Sequence, residues 1–191
     1  MKIMKINLND KPALILVDFQ KAFDDHTIWG GARNNPNAEN IAAKLLKLWR
    51  EKQLPVFHTQ HCSVNPNSPL AEGNPGNEFM EIVKPLAGEN IIKKNVNSGF
   101  IGTNLKQLLD EKGITNLVFA GLTTDHCVST TVRMAGNFGY KTWLINDATA
   151  TFDKVSIGGE KFSAQLMHDT AVASINGEFA EVVNFKDAFE M

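Results

Sequence analysis

Three residue types in this chain could do chemistry together: a thiol, a carboxylate and an ammonium. The thiol is Cys127, in Gly121-Leu122-Thr123-Thr124-Asp125-His126-Cys127-Val128. An apolar run, Asn116 to Ala120, precedes that stretch and reads as a buried strand; Ser129 to Phe138 follows and reads as a helix closed by Gly139. A cysteine at the first turn of a helix meets unpaired N–H groups and the positive end of the macrodipole, which favour the thiolate and so a nucleophile. Position alone leaves a second reading open, that Cys127 is a small apolar core residue. Asp18 ends the apolar run Ala13 to Val17, where a charge is costly without partners. Lys94 follows Ile91-Ile92, and alone it reads as a surface lysine. Around one point the three make sense: the ammonium stabilises thiolate and oxyanion, and the carboxylate holds the lysine and shuttles the proton.

The elements that must position them alternate between strand and helix. Strands are predicted at Ala13–Val17, Pro55–Thr59, Glu89–Lys93, Leu117–Leu122, Lys141–Asn146 and Glu181–Phe185. Helices are predicted at Ala38–Lys52, Thr103–Lys112, Cys127–Phe138 and Phe162–Ser174. The pattern predicts an α/β fold, three-layer and doubly wound, with a six-stranded parallel sheet in the order 3-2-1-4-5-6. Strands one and four are then neighbours at the reversal of strand order, and Asp18 and Cys127 face one crevice. Gln60 to Gly88, with Pro66, Pro69, Pro75 and Pro85, reads as a long ordered loop.

The 191 residues suit one domain spanning 1–191. A net charge of −2 gives no reason to expect nucleic acid or an anionic membrane as a partner. Two cysteines make no disulfide framework, Met1 to Asp10 lacks the apolar core of a signal peptide, and no apolar run is long enough for a bilayer. A cytoplasmic location is the expectation. The glycines form no phosphate-cradling pattern.

At this point the chain resembles a known family. Asp18, Gln20 and Phe23 resemble the D-x-Q-x-x-F opening of the isochorismatase-like cysteine hydrolases. Lys94 to Phe100 resembles their K-x-x-x-S-[AG]-F segment, Gly121 to Val128 their G-[VI]-x-T-[DN]-x-C-V signature, and Asp147 to Asp153 their D-A-T-A-T-[FY]-D strand exit. The resemblance implies the isochorismatase-like hydrolase fold and a catalytic triad of Asp18, Lys94 and Cys127. It implies a cis peptide between Leu122 and Thr123, with the backbone N–H groups of Thr123 and Cys127 as an oxyanion hole. The implied reaction is hydrolysis of a small molecule's amide or ureido C–N bond through a Cys127 thioester. Family members usually form homo-oligomers, so a homodimer or homotetramer is expected.

Two alternatives lie within the same resemblance. Isochorismatases proper split an enol ether and do not need the thiol. Nicotinamidases bind a metal through a D-x-H and further histidines; the matching segment here, Phe57-His58-Thr59-Gln60-His61-Cys62, has no aspartate. Two histidines are too few for the usual ligand set, so no metal and no cofactor are expected. A non-catalytic or redox-sensing module is a third class. Asp125 and His126 read as structural or pocket-wall residues. Candidate substrate-pocket residues are Gln20, Phe23, Trp29, His58, Phe100 and Phe152, all near the motifs or just beyond strand ends.

Overall fold

The computed structural model describes residues 6–189. Six strands build one parallel sheet: β1 (Ala13–Val17), β2 (Val56–His61), β3 (Asn90–Lys94), β4 (Asn116–Leu122), β5 (Lys141–Ala150) and, last in the chain, Glu181–Val183. Between β5 and that last strand, Lys154–Val155 (β6) and Lys161–Phe162 (β7) form a small antiparallel hairpin, so the last strand is β8. The sheet order is β3-β2-β1-β4-β5-β8. This is the predicted order; only the number of the final strand changes.

The helices are α1 (His26–Trp29), α2 (Ala38–Glu51), α3 (Leu105–Glu111), α4 (Ser129–Asn137), α5 (Ala164–Ile175) and α6 (Phe185–Phe189). Side chains of β1 alternate between two cores. Leu14 and Leu16 pack with Ala42, Leu45, Leu46 and Trp49 of α2 on one face. Ala13, Ile15 and Val17 pack with Leu105 and Leu109 of α3 and Val132 and Ala135 of α4 on the other. Such period-two alternation with both faces buried is what a parallel sheet between helices requires.

Five elements depart from expectation. Strand β5 runs on to Ala150 through an irregularity in its pairing with β4, between Phe119 and Gly121. Asn35 holds that irregularity by donating to the carbonyls of Asn146 and Thr149. Phe162 belongs to the hairpin, and α5 starts later because Ser163 caps it, accepting from Leu166 N–H. Strand β8 stops at Val183 because Asp147 takes the Phe185 N–H and turns the chain into α6. The predicted helix at Cys127 begins instead as a turn of π-helix over Thr124–Val128, with α4 only from Ser129. Pro55–Thr59 extends as β2 to His61, which pairs with Lys94 of β3.

The amino end of β3 is tied to α2 by charge. Glu89 accepts two hydrogen bonds from Arg50 and one from the Leu86 N–H, and faces His58 Nε2 at 2.9 Å. Burial opposes ionisation of Glu89, yet the bonds from Arg50, Leu86 and His58 outweigh it and hold the carboxyl at about 2 against an ordinary 4.5. A lowered acid pKa stabilises the fold fully above the unfolded value and loses that contribution as pH falls through the folded one. Glu89→Gln is therefore expected to cost about 2 kcal/mol at pH 7. In urea unfolding the difference from the parent protein should shrink between pH 4.5 and about 2. A gap that is constant across that range would contradict the assignment.

Candidate active site

Strand β1 delivers Asp18 in an unusual backbone conformation. Its φ is +51°, in the left-handed region that costs a residue with a Cβ free energy. That turn swings the carboxylate back beneath the sheet's carboxyl edge. The Asp18 N–H is held by the Thr59 carbonyl and hydroxyl, and the Thr59 hydroxyl donates to Oδ1 at 2.5 Å. Strand β4 comes unusually close alongside. Gly121 has φ +152°, and a Cβ there would lie 2.2 Å from the Val17 carbonyl oxygen. Only glycine admits that approach.

Lys94 ends β3, and its ammonium lies 2.6 Å from Asp18 Oδ2, both side chains being fully buried. Its two other hydrogen-bonding neighbours are His61 Nδ1 and the Val96 carbonyl, each at 3.2 Å. An ammonium has three donors, so all are engaged by the protein itself. The Lys94 ammonium is thus shared between Asp18, His61 and the Val96 carbonyl. Accepting at Nδ1 requires the neutral ring of His61 to carry its proton on Nε2. Burial, then the Lys94 charge, lowers the His61 pKa against the opposing pull of Asp18, which keeps the ring neutral.

Cys127 projects from the π-helical turn into the same place. One ligand-type atom from each of Asp18, His61 and Cys127 lies within 4.8 Å of the other two. Thr131 anchors the turn: its hydroxyl donates to the Cys127 carbonyl at 2.6 Å and accepts the Gly99 N–H at 3.0 Å. This bond joins the Cys127 turn to the segment that follows Lys94. The peptide bond between Leu122 and Thr123 is cis. The thiol differs from the sequence-based reading of an easily ionised group. Burial pushes it up to about 12; Asp18 adds to the rise, and Lys94 opposes it. In the resting protein it is a neutral thiol beside a carboxylate.

A cavity of about 130 Å³ opens on these groups, lined by Asp18, Phe23, Trp29, His61, Leu70, Asn97, Thr123, His126, Cys127 and Lys154. Phe23 and Trp29 therefore stand at its wall, their rings 4.7 Å apart. The other four candidate pocket residues do not line it. Gln20 is buried and spends its amide on backbone, bonding both the N–H and carbonyl of His61 and the carbonyl of Asn77, so it pins the long loop to β2. His58 points to the α2 face and contacts Glu89 and the Phe79 ring. Phe100 packs in the opposite core against Phe138 and Tyr140. Phe152 is fully buried behind Phe23 and Trp29. Sequence reasoning missed His61, Leu70, Asn97 and Lys154 as wall residues. Asp125, read as a structural or pocket-wall residue, accepts from the Thr151 hydroxyl.

Asp18, His61 and Cys127 have the spacing to be tested as metal ligands. The donors do not fit one. Asp18 and His61 both already face the Lys94 ammonium, and a second cation would meet a fixed positive charge within hydrogen-bond distance.

The doubly wound sheet, with a buried thiol beside a carboxylate–lysine pair at the reversal of strand order, defines the class as a doubly wound α/β protein with a small cavity at that reversal. Residues 12–187 match the Isochorismatase domain, and the chain belongs to the isochorismatase family of hydrolases. It is 48% identical over 176 residues to the uncharacterised isochorismatase-family protein YrdC of Bacillus subtilis, covering 92% of this chain and 93% of that protein. It is 28% identical to the maleamate amidohydrolase of Pseudomonas putida, over 97% of this chain and 89% of that one. A crystal structure of an isochorismatase-family protein from Chromobacterium violaceum superposes with a TM-score of 0.91 at 43% identity, over 96% of this chain and 94% of that chain.

Proposed function

We propose that the protein is a cysteine amidohydrolase that cleaves the C–N bond of a small linear amide or ureido compound. The observation that supports this most is that Asp18 and Cys127 meet on one small cavity, with the buried Lys94 ammonium paired to Asp18 behind it. The maleamate amidohydrolase among its relatives points the same way.

In the proposed reaction, Cys127 Sγ attacks the carbonyl carbon while its proton passes to Asp18. The neutral resting thiol makes this transfer part of the attack rather than a prior ionisation. The backbone N–H groups of Thr123 and Cys127 hold the developing oxyanion. The C–N bond then breaks, and Asp18 returns the proton to the departing nitrogen, leaving an acyl thioester. Asp18 next takes a proton from water, whose oxygen attacks the thioester; the acid leaves and the thiolate recovers its proton. Lys94 holds Asp18 in place through both halves.

Intact-mass measurement tests this. With a chelator present throughout, incubation with a panel of short linear amides should add the mass of an acyl group to Cys127, and turnover should persist. Turnover that stops with chelator and returns with zinc or iron would favour a metal-dependent amidase and overturn the reading.

A further inference from the structure

One buried titratable group takes no part in the proposed reaction. His168, on α5, is 1% exposed, and both its ring nitrogens meet polar side chains. Nδ1 lies 3.0 Å from the Thr124 hydroxyl, and Nε2 lies 2.8 Å from Asn146 Oδ1. Asn146 Nδ2 donates to Asn184 Oδ1 at 3.0 Å, and Asn184 Nδ2 donates to Asp187 Oδ2 at 3.1 Å. A carboxylate only accepts, so Asp187 sets the direction of every bond behind it. Asn184 turns its NH₂ to Asp187 and its oxygen to Asn146, which in turn presents its own oxygen to the ring. The ring then carries its proton on Nε2, and the bare Nδ1 accepts from the Thr124 hydroxyl. Burial lowers the His168 pKa against the pull of Asp169 and Asp125, which keeps the ring neutral.

This relay runs from the exposed Asp187 on α6, through β5 and α5, to the first residue of the turn that carries Cys127. Thr131 ties the Cys127 carbonyl at the other end of that turn. Thr124 directly follows Thr123, the residue after the cis peptide, whose carbonyl accepts the His126 and Val128 N–H groups. A fixed Thr124 side chain therefore sets where the Thr123 and Cys127 N–H groups stand. We propose that His168 is a positioning residue: its Nε2–H form, selected by Asn146, holds Thr124 and so fixes the Cys127 turn for attack on substrate. This inference rests on the reading of Cys127 as the nucleophile. Misplacing such a turn by about 1 Å is enough to cost about a hundredfold in rate.

The test varies both ends of the Thr124–His168 bond. Thr124→Val removes the hydroxyl and keeps the shape, whereas Thr124→Ser keeps the hydroxyl. His168→Asn keeps an acceptor near the place of Nδ1, whereas His168→Leu keeps none. On short linear amides, Thr124→Val and His168→Leu should each lower kcat by about tenfold or more with little change in KM. The two together should cost no more than either alone. Thr124→Ser and His168→Asn should recover most of the loss. Nitrogen NMR of the parent protein should show His168 protonated on Nε2 and bare on Nδ1. A proton on Nδ1, an unchanged kcat in Thr124→Val, or a loss that Thr124→Ser shares in full would overturn the positioning role and leave the hydrolase reading standing. If the parent protein neither hydrolyses any amide nor is acylated by one, the hydrolase reading falls, and alkylation of Cys127 by iodoacetamide decides the relay alone. The loosened turn of Thr124→Val should expose the buried thiol and react several-fold faster than the parent, with Thr124→Ser at the parent's rate. Equal rates in all three would overturn the relay as well.

Discussion

Cys127→Ala should lower amide hydrolysis by on the order of 10⁴-fold or more, with kcat falling and thermal stability nearly unchanged. Cys127 is 8% exposed, and its sulfur lies 3.9 Å from Asn97 Oδ1 and within 4.8 Å of Asp18 and His61, so its truncation removes no short hydrogen bond. The conservative Cys127→Ser tests the same point differently. A hydroxyl keeps the shape but is a far poorer nucleophile, so it should also be inactive and form no adduct. Hydrolysis that survived either change would remove the covalent route and favour the enol-ether chemistry that has no need of a thiol. The high thiol pKa has a second reading in the same experiment. At neutral pH the resting protein should react slowly with iodoacetamide, because the reactive thiolate is scarce when the group titrates at about 12.

Asp18→Asn should damage activity and, unlike Cys127→Ala, the fold as well. It removes the group that accepts the thiol proton, a loss of about 10²–10⁴-fold. It also strands the Lys94 ammonium, which is fully buried and whose only carboxylate neighbour within bonding distance, among the described residues, is Asp18. An uncompensated buried charge costs about 3–5 kcal/mol. Adding Lys94→Met in the same chain should restore much of the stability, measured by urea unfolding, and none of the activity. If Asp18→Asn alone were as stable as the parent, the pair would not be the buried ion pair described; if the double variant were active, neither residue would belong to the chemistry.

The fold was legible because the central strands β1 and β4 are apolar runs with both faces buried, and because they end in residues that such a run would not otherwise carry, Asp18 and the Gly121 turn. The three reactive residues were legible as motifs in order. The cavity wall was less so, and its misreadings have physical causes. His58 and His61 lie three positions apart on β2, and three is odd, so they face opposite sides of the sheet. Extending the strand to His61 would have placed that ring beside Thr59 and Lys94, and His58 among the side chains of α2. Gln20 looked like a pocket residue because it sits in the opening motif, but its amide is complementary to two backbone groups of one residue, a structural use that no spacing signals. Phe100 and Phe152 have the aromatic character expected of a shelf, and only packing shows them one layer back. Lys154 carried no signal at all; its place depends on a hairpin of two-residue strands, too short for any alternation to register.

The strand order has one more outcome. Asp18 and Lys94 stand 76 positions apart and come from one half of the sheet, while the Cys127 turn is reached from β4, across the seam where the order reverses. Neither half holds a working centre by itself. Gly121 lets the two halves close to contact at that seam, so the step that completes the hydrophobic interior also first brings sulfur to carboxylate. Under the proposed reaction, neither half of the sheet could work alone, and a chain emerging from the ribosome presents its carboxylate and ammonium before its thiol.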